Sequence, residues 1–244
     1  MVTPILTPRF AISCSQPLLS GLGEIARENQ DIPIQTHFNE SRDEIAFTQS
    51  LFPNFATETA LYSYFGLFTS RSVLAHSIFL QDEELQQVKE VDCGIAHCPI
   101  SNTCMQDFMI APVREYLRRG IKVGLGTDSG GGYSSSMLEV MKVAFLVSKA
   151  KQSETKGGDQ ALSLEECFFL ATLGGARVYG LGDKVGSFEV GKEFDALIVS
   201  GDVEDGVMAP VEEEDGIYTI WEKFVMTGDD RNIVRVYVNG RVVK

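Results

Sequence analysis

The sequence predicts an α/β fold, consisting of part of a TIM-type (β/α)8 barrel and a small β-rich C-terminal segment. Up to about residue 182, short apolar runs alternate with amphipathic helical patterns, which is typical of a parallel sheet with helices outside it. Three of these runs end on the three histidines of the chain, and a fourth ends on Asp128. Polar residues at the carboxyl ends of consecutive parallel strands are typical of a barrel mouth.

The N-terminal region contains the first predicted strand that ends on a histidine. Residues 7–15 are expected to be extended, because the prolines at 4 and 8 keep the residues before them out of the helical region. A helix is predicted over about 17–28, and a strand over 32–36 leads to His37. Ser41 and Glu44 form a capping box that starts a helix reaching about residue 51.

The central region repeats this strand and helix alternation. Strands are predicted over 72–76, 93–97 and 122–128, ending on His76, His97 and Asp128. The intervening and following helical patterns cover 57–68, a stretch from 82, a stretch around 113–117, 137–149 and 163–176. A complete barrel has eight βα units and ~250 residues, and this chain resembles about the last five units.

The C-terminal region changes to short β patterns with glycine turns, at 186–191, 195–199 and 233–243. The pair Asn239-Gly240 between valine-rich runs predicts a hairpin. The acidic stretch 202–215 is expected to be a solvated loop. We therefore divide the chain into domains 1–182 and 183–244.

Composition and charge exclude several functional classes. The net charge of −13 and the lack of basic patches argue against binding to nucleic acid or an anionic membrane. No apolar run approaches the ~20 residues of a membrane span, and the first residues lack a leader pattern. Five cysteines without CxxC spacing favour a reduced, cytoplasmic protein. The nearby Cys93, His97, Cys98 and Cys104 match no ordinary zinc spacing, so we expect core residues there.

His37 and Glu40 have the residue types and spacing of a hydrolytic zinc site. A histidine offers a neutral nitrogen to the metal, and a carboxylate three residues later reaches the water without being a ligand. The pair is common by chance, so other interpretations remain open. His76 and His97 also fit as buried structural residues, and Asp128 as a helix cap. The glycines at 130–132 lack the lysine and the spacing of a phosphate loop.

Taken together, these residues resemble the amidohydrolase superfamily. Within it, Pro8-Arg9-Phe10, residues 228–233 and the closing hairpin are most similar to the guanine deaminase family. The resemblance covers essentially the whole chain. The segments that carry it are Gln35-Thr36-His37-Phe38-Asn39-Glu40, Ala75-His76-Ser77, Ala96-His97-Cys98-Pro99-Ile100-Ser101-Asn102 and Gly126-Thr127-Asp128.

The resemblance implies zinc-dependent hydrolysis of guanine to xanthine and ammonia. It makes His37 and Asp128 the Zn2+ ligands, and Asp128 also the acceptor of the proton from water. His76 becomes an additional ligand or a group that holds the reacting oxygen, and Glu40 the proton shuttle. The resemblance also implies that Arg9 and Phe10 line the guanine pocket. We assign His97 mainly to the structure of its strand end. For the full-length family it implies a homodimer.

The chain departs from the family in one important respect. The family takes two zinc ligands from a His-x-His pair, and no such pair occurs here. A catalytic zinc normally has three protein ligands and a water. We therefore expect either the C-terminal part of a longer enzyme, a site completed by another chain, or a truncated non-catalytic product. A related purine, triazine or nucleoside deaminase or a chlorohydrolase remains an alternative.

Overall fold

The computed structural model describes residues 3–105 and 108–244, and its central element is a parallel sheet. The sheet contains β1 (Ile34–Phe38), β2 (Ser72–His76), β3 (Gly94–His97) and β4 (Lys122–Leu125), in the order β1-β2-β3-β4. Each strand pairs in parallel with the next strand along the chain. This one-directional winding brings the carboxyl ends of all four strands to one edge, as the sequence predicted.

An N-terminal segment lies along the free side of β1. Leu6 forms a parallel bridge with Ile34, and the N–H of His37 donates to the carbonyl of Arg9 at 2.9 Å. The segment does not stay extended to residue 15 as predicted. A 3-10 turn forms at Ala11–Ser13, because the Ser13 hydroxyl bonds both the N–H and the carbonyl of Phe10.

The helices connect the strands and follow the predicted order. They are α1 (Gln16–Glu28), α2 (Arg42–Leu51), α3 (Glu58–Tyr64), α4 (Asp82–Val91), α5 (Pro99–Cys104), α6 (Val113–Arg118), α7 (Met137–Glu154), α8 (Leu164–Phe169) and α9 (Gly175–Val178). Helix α5 was not predicted from the sequence. Helix α3 ends before residue 68, and α7 continues to Glu154, beyond the predicted end at residue 149.

A π-helical turn at Leu170–Gly174 joins α8 to α9 and brings this region close to β4. The two backbones touch through glycines. A β-carbon on Gly124 would lie 2.7 Å from the α-carbon of Gly175, and one on Gly174 would lie 2.7 Å from the Val123 carbonyl oxygen. Only glycine permits this approach, which packs the helix directly on the strand.

A second, antiparallel sheet lies near the C-terminus. It contains β5 (Ala196–Val199), β6 (Ile233–Val238) and β7 (Arg241–Val242). The predicted hairpin at Asn239-Gly240 is present, and both turn residues have positive φ angles of 49° and 72°. These angles fit the two-residue turn that matches the twist of paired strands.

The prediction was wrong about two parts of the C-terminal region. Residues 186–191 form turns and coil rather than a strand, and an unpredicted helix, α10, spans Ile217–Thr227. Helix α10 is rich in β-branched and aromatic residues, which favour strands locally. It forms a helix because Phe224 and Val225 are buried in the main hydrophobic core, which overrides the local preference.

The sheets remain open within the part of the chain that the structure describes. The four parallel strands and the N-terminal segment of the described residues do not close into a barrel. The structure therefore supports the predicted α/β class with a parallel sheet, but it does not show a closed barrel. None of the helices in residues 3–105 and 108–244 is long and apolar enough to cross a lipid bilayer.

Candidate active site

Residues at the carboxyl ends of the parallel strands form the candidate site. His37 and His76 lie at the ends of β1 and β2, and Asp128 follows β4. The backbone at this edge is unusual, since Asn39, His76 and Asp128 have positive φ angles of 45°, 69° and 45°. Left-handed backbone at residues other than glycine costs free energy and concentrates at functional sites.

The side chains from these separate segments converge. The His76 Nε2 atom lies 3.5 Å from Oε1 of Glu40 and 4.0 Å from Oδ2 of Asp128. The His37 Nε2 atom lies 3.9 Å from Oδ1 of Asp128. Ligand-capable atoms of His37, Glu40 and His76 all lie within 4.8 Å of one another. The structure therefore brings together two imidazoles and two carboxylates named from the sequence.

The ring of His37 is oriented by the N-terminal segment. Its Nδ1 atom lies 2.7 Å from the carbonyl oxygen of Arg9, an acceptor, so Nδ1 carries the proton. The lone pair on Nε2 then faces the Asp128 carboxylate. The Phe10 ring stacks on His37 at a centroid distance of 3.9 Å, and the Arg9 guanidinium lies over the Phe10 ring at 4.7 Å.

The ring of His76 is oriented in a comparable way. Its Nδ1 atom lies 2.8 Å from Oδ1 of Asn102, and the residue is fully buried. The Nε2 atom has no hydrogen-bond partner among residues 3–105 and 108–244, although it is buried. A buried nitrogen without a partner loses hydration free energy, so this atom fits one that binds a ligand.

Asp128 is positioned by a hydroxyl and by a glycine. The Ser101 Oγ donates a hydrogen bond to Oδ2 of Asp128 at 2.6 Å. A β-carbon on Gly131 would lie only 2.3 Å from the same oxygen. The carboxylate therefore lies against glycine backbone on one side and faces the histidines on the other.

Burial shifts the protonation of the site. Desolvation is the largest cause that raises the pKa of Glu40, and the nearby His37 opposes it. Desolvation also lowers the pKa values of His37 and His76. At neutral pH the two imidazoles are therefore uncharged, which is the state that binds a metal ion.

His97 is the third strand-end histidine and lies at the carboxyl end of β3. It is buried, its Nδ1 atom lacks a partner within the described part of the chain, and desolvation lowers its pKa to about 3. The nearby Cys93 and Cys98 are buried thiols whose pKa values desolvation raises to about 12. A neutral thiol is a poor zinc ligand, so Cys93 and Cys98 fit the core role expected from the sequence. The prediction was wrong for Cys104, which is exposed.

The donor set fits a zinc ion. Zinc is bound in proteins by imidazole nitrogens and carboxylate oxygens, often with other polar groups holding the free ring nitrogen. His37, His76 and Asp128 are the residues that would hold it. The fit rests on the unpartnered, buried Nε2 of His76 and on the two orienting contacts to Nδ1 atoms.

Sequence reasoning did not assign roles to the residues that orient this site. Ser101 and Asn102 were quoted as part of a motif, but their bonds to Asp128 and His76 were not expected. The available signal was a pair of polar residues four and five positions after the strand-end His97. Both are fully buried in α5, and buried polar side chains need partners.

The sheet order and the strand-end site define the class of protein. The model of the Amidohydrolase family matches residues 1–243, and the chain belongs to that family. A probable guanine deaminase from Schizosaccharomyces pombe is 45% identical over 243 residues, which is 100% of this chain and 46% of that protein.

Two solved structures are also similar to this chain. Guanine deaminase from C. acetobutylicum with bound guanine matches with a TM-score of 0.88 and 37% identity, over 99% of this chain and 55% of that one. A mutant atrazine chlorohydrolase from Arthrobacter aurescens, complexed with zinc and atraton, matches with a TM-score of 0.79 and 26% identity, over 98% and 49% of the two chains. The chain spans about half the length of the curated relatives it matches.

Proposed function

We propose that this chain forms part of a zinc-dependent guanine deaminase, which hydrolyses guanine to xanthine and ammonia in purine catabolism. The observation that carries the proposal is the convergence of His37, His76, Asp128 and Glu40 at one sheet edge. The guanine deaminases among the relatives and the solved structure with bound guanine support the choice of substrate.

His37 and Asp128 are proposed to hold the zinc ion, with His76 as an additional ligand. Zinc bound there supplies a water molecule whose pKa is lowered toward ~7. With its proton on Nδ1, facing Asn102, the neutral His76 ring presents a lone pair at Nε2. Stabilising a negative oxygen would instead require a proton on Nε2, so this tautomer favours the ligand role over the oxygen-holding role.

Glu40 is proposed to move the protons of the reaction. Its raised pKa lets the buried carboxyl hold a proton at a higher pH than an exposed glutamate does. It protonates the ring nitrogen of guanine, so that the adjacent carbon accepts the attacking oxygen. Asp128 accepts the proton released by water. Glu40, ionised by its first transfer, then takes the hydroxyl proton of the tetrahedral carbon and passes it to the leaving amine, which departs as ammonia as the carbonyl of xanthine forms. The proton held by Asp128 returns Glu40 to its protonated state.

Arg9 and Phe10 are proposed to bind the purine. The Arg9 guanidinium is exposed, and its planar set of donors suits the acceptor atoms of a guanine edge. Phe10 already stacks on His37, and its partly buried ring offers an apolar surface beside the metal ligands. A lysine in place of Arg9 would keep the charge and lose the planar arrangement.

The proposed architecture is part of a (β/α)8 barrel. The parallel strands β1–β4 and the segment at residues 6–9 would supply about five of its eight strands. We propose domains 1–182 and 183–244, supported by the separate parallel and antiparallel sheets. The remaining ligands would come from polypeptide beyond these residues. The working form is proposed to be a cytoplasmic homodimer.

Zinc content and ammonia release test the proposal. The full-length polypeptide and the chain 1–244 are each purified and assayed with guanine, adenine, cytosine and a chlorotriazine. We expect zinc-dependent ammonia release from guanine by the full-length form. A chain 1–244 that binds zinc near one ion per chain, without a partner, contradicts the truncated non-catalytic alternative. Preferred turnover of the triazine, or no turnover of guanine, contradicts the proposed function.

A further inference from the structure

Asn39, the residue before Glu40, is held at its backbone N–H, its backbone carbonyl and its side-chain NH2 group. Its backbone N–H donates to Oε2 of Glu58 at 2.9 Å, and its side-chain amide donates to Oε2 of Glu84 at 3.0 Å. Its carbonyl accepts from the N–H groups of Ile78 and Phe79 at 3.0 Å and 3.2 Å. Asn39 is 2% exposed and has a φ of 45°, so a left-handed residue is fixed inside the protein.

The carboxylate of Glu84 accepts hydrogen bonds from three groups. Besides the Asn39 amide, its carboxylate accepts from the N–H of Gln81 at 3.1 Å and from the Thr59 hydroxyl at 3.4 Å. The residue is 3% exposed. A glutamine at this position could keep its oxygen toward the Asn39 amide and the Gln81 N–H and turn its NH2 group to the Thr59 hydroxyl, which can accept a hydrogen bond. An alanine would remove the acceptor for the Asn39 amide.

Glu58 has a different environment. Its second oxygen, Oε1, lies 3.2 Å from the Thr48 hydroxyl, which also lies 3.0 Å from Oε1 of Glu44. One hydroxyl hydrogen cannot serve two carboxylates fully, so the buried pair holds a proton. Desolvation and the hydrogen bond with Glu44 raise the pKa of Glu58 well above its usual range. A glutamine at 58 could keep the acceptor for Asn39 and donate toward Thr48.

Glu40 depends on its backbone for orientation. In the described residues, its carboxyl accepts no side-chain or backbone hydrogen bond, and its nearest polar contact is His76 Nε2 at 3.5 Å. On its C-terminal side, Ser41 is fixed as the N-cap of α2 by the N–H of Glu44 at 3.0 Å. On its N-terminal side, Asn39 is fixed by the two glutamates. These two anchors determine where the carboxyl lies.

We propose that Glu58 and Glu84 are positioning residues, which clamp Asn39 and thereby direct the carboxyl of Glu40 toward His76. The inference rests on the proposed function, because it assigns Glu40 the proton transfers. Neither glutamate touches the substrate or the metal ligands. Their effect is transmitted through the left-handed residue at 39. A loss of the clamp would leave the metal site in place and misdirect the proton shuttle.

Substitutions in the zinc-loaded, full-length polypeptide test the clamp through kinetics. We expect Glu84→Ala, which removes the acceptor for the Asn39 amide, to lower kcat for guanine by about tenfold or more, since small misplacements of a reacting group are costly. Zinc content and KM should change less than about twofold. Glu83→Ala, at an exposed neighbour on the same helix, is the matched control with unchanged kcat. Glu58→Ala should also lower kcat, and the conservative Glu58→Gln should rescue most of the loss.

A double-variant cycle separates positioning from general damage. In a Glu40→Gln background, Glu84→Ala should cause no further fall in kcat, because the group it positions is already lost. If Glu84→Ala does not fold, Asn39→Gly replaces it. Glycine accepts the positive φ and removes the amide that Glu84 binds. Equal losses of kcat with and without the Glu40 carboxyl would overturn the proposal.

A structural readout is independent of activity. In a crystal structure of Glu84→Ala or Asn39→Gly, the Glu40 Oε1 to His76 Nε2 distance should exceed that in a wild-type crystal structure. An unchanged distance together with an unchanged kcat overturns the clamp. If the wild-type protein releases no ammonia from guanine, the proposed function is contradicted. The clamp is still tested in that case, because the distance between Glu40 and His76 is measured without activity.

Discussion

The Nε2 atom of His76 lies 3.5 Å from Oε1 of Glu40, at a site where His76 is fully buried and Glu40 is 5% exposed. The two atoms come from the ends of adjacent strands. Burial lowers the pKa of His76 and raises that of Glu40, so the uncharged state of each residue is favoured. A neutral histidine can bind a metal ion while the neighbouring carboxyl holds a proton for transfer.

Replacing Glu40 with glutamine should remove the proton shuttle and leave the fold intact. We expect kcat for guanine to fall by about 100-fold or more, the usual size of a general acid–base contribution. Zinc content should be unchanged, since the metal ligands remain. The control is Asp43→Asn, an exposed residue in the first turn of α2. A fall of less than about tenfold would show that Glu40 is not the shuttle.

Gly131→Ala should displace the Asp128 carboxylate. The new β-carbon would lie 2.3 Å from Oδ2 of Asp128 and 3.1 Å from the Ser101 hydroxyl, so the side chain of Asp128 must move. We expect weaker zinc retention against a chelator and kcat reduced by about tenfold. Ser129→Ala, in the same exposed loop, should behave as wild type. Normal zinc retention in Gly131→Ala would contradict the assignment of Asp128 as a ligand.

Two glycines on α1 should respond to alanine in opposite ways. A β-carbon on Gly23 would lie 1.8 Å from the Phe65 carbonyl oxygen, whereas one on Gly21 meets nothing within 4 Å. Gly23→Ala should lower the free energy of unfolding by about 1–3 kcal/mol through overpacking against backbone. Gly21→Ala should raise it by about 0.5–1 kcal/mol through helix propensity. Denaturant unfolding measures both, and similar effects would contradict the packing of α1 on this loop.

The buried Glu58 should make stability fall as pH rises. Its pKa is raised in the folded protein, so the folded state binds more protons than the unfolded state above the ordinary glutamate pKa. The free energy of unfolding then decreases with pH until the folded-state pKa is passed. Glu58→Gln should remove this contribution. Its stability relative to the wild type should therefore increase from about pH 5 to about pH 8 in denaturant unfolding.

Glu58→Asp provides a control for that pH effect. It keeps an ionisable group beside Glu44 and should retain a decrease of stability with rising pH. An equal pH slope in the wild type and in Glu58→Gln would show that no proton is held by this pair.

The sequence predicted the parts of the fold that depend on local pattern. The strand that ends at His76 was predicted with the bounds that the structure gives, and the Ser41 cap starts a helix as expected. The hairpin at Asn239-Gly240 also formed, because those two residues tolerate positive φ angles. Caps and tight turns involve neighbours in the chain, so their signals lie within a few residues.

Long-range packing decided what the sequence prediction missed. Helix α10 forms where the local composition favours strands, because Phe224 and Val225 fill a place in the core. The strand expected at 186–191 did not form. The extended segment was interrupted at Ala11–Ser13, where a serine hydroxyl satisfies the backbone instead. Each outcome depends on partners that local patterns do not reveal.

For the candidate site, the sequence alone determined which ligand-capable residues lie at strand ends: His37, His76 and Asp128. Only the tertiary structure decided their orientation, through Arg9, Asn102 and Ser101. It also decided that two glutamates from α3 and α4 hold the residue before Glu40. Strand periodicity is a local property of the chain. A hydrogen bond between residues far apart in sequence is determined only when the whole sheet and its helices are assembled.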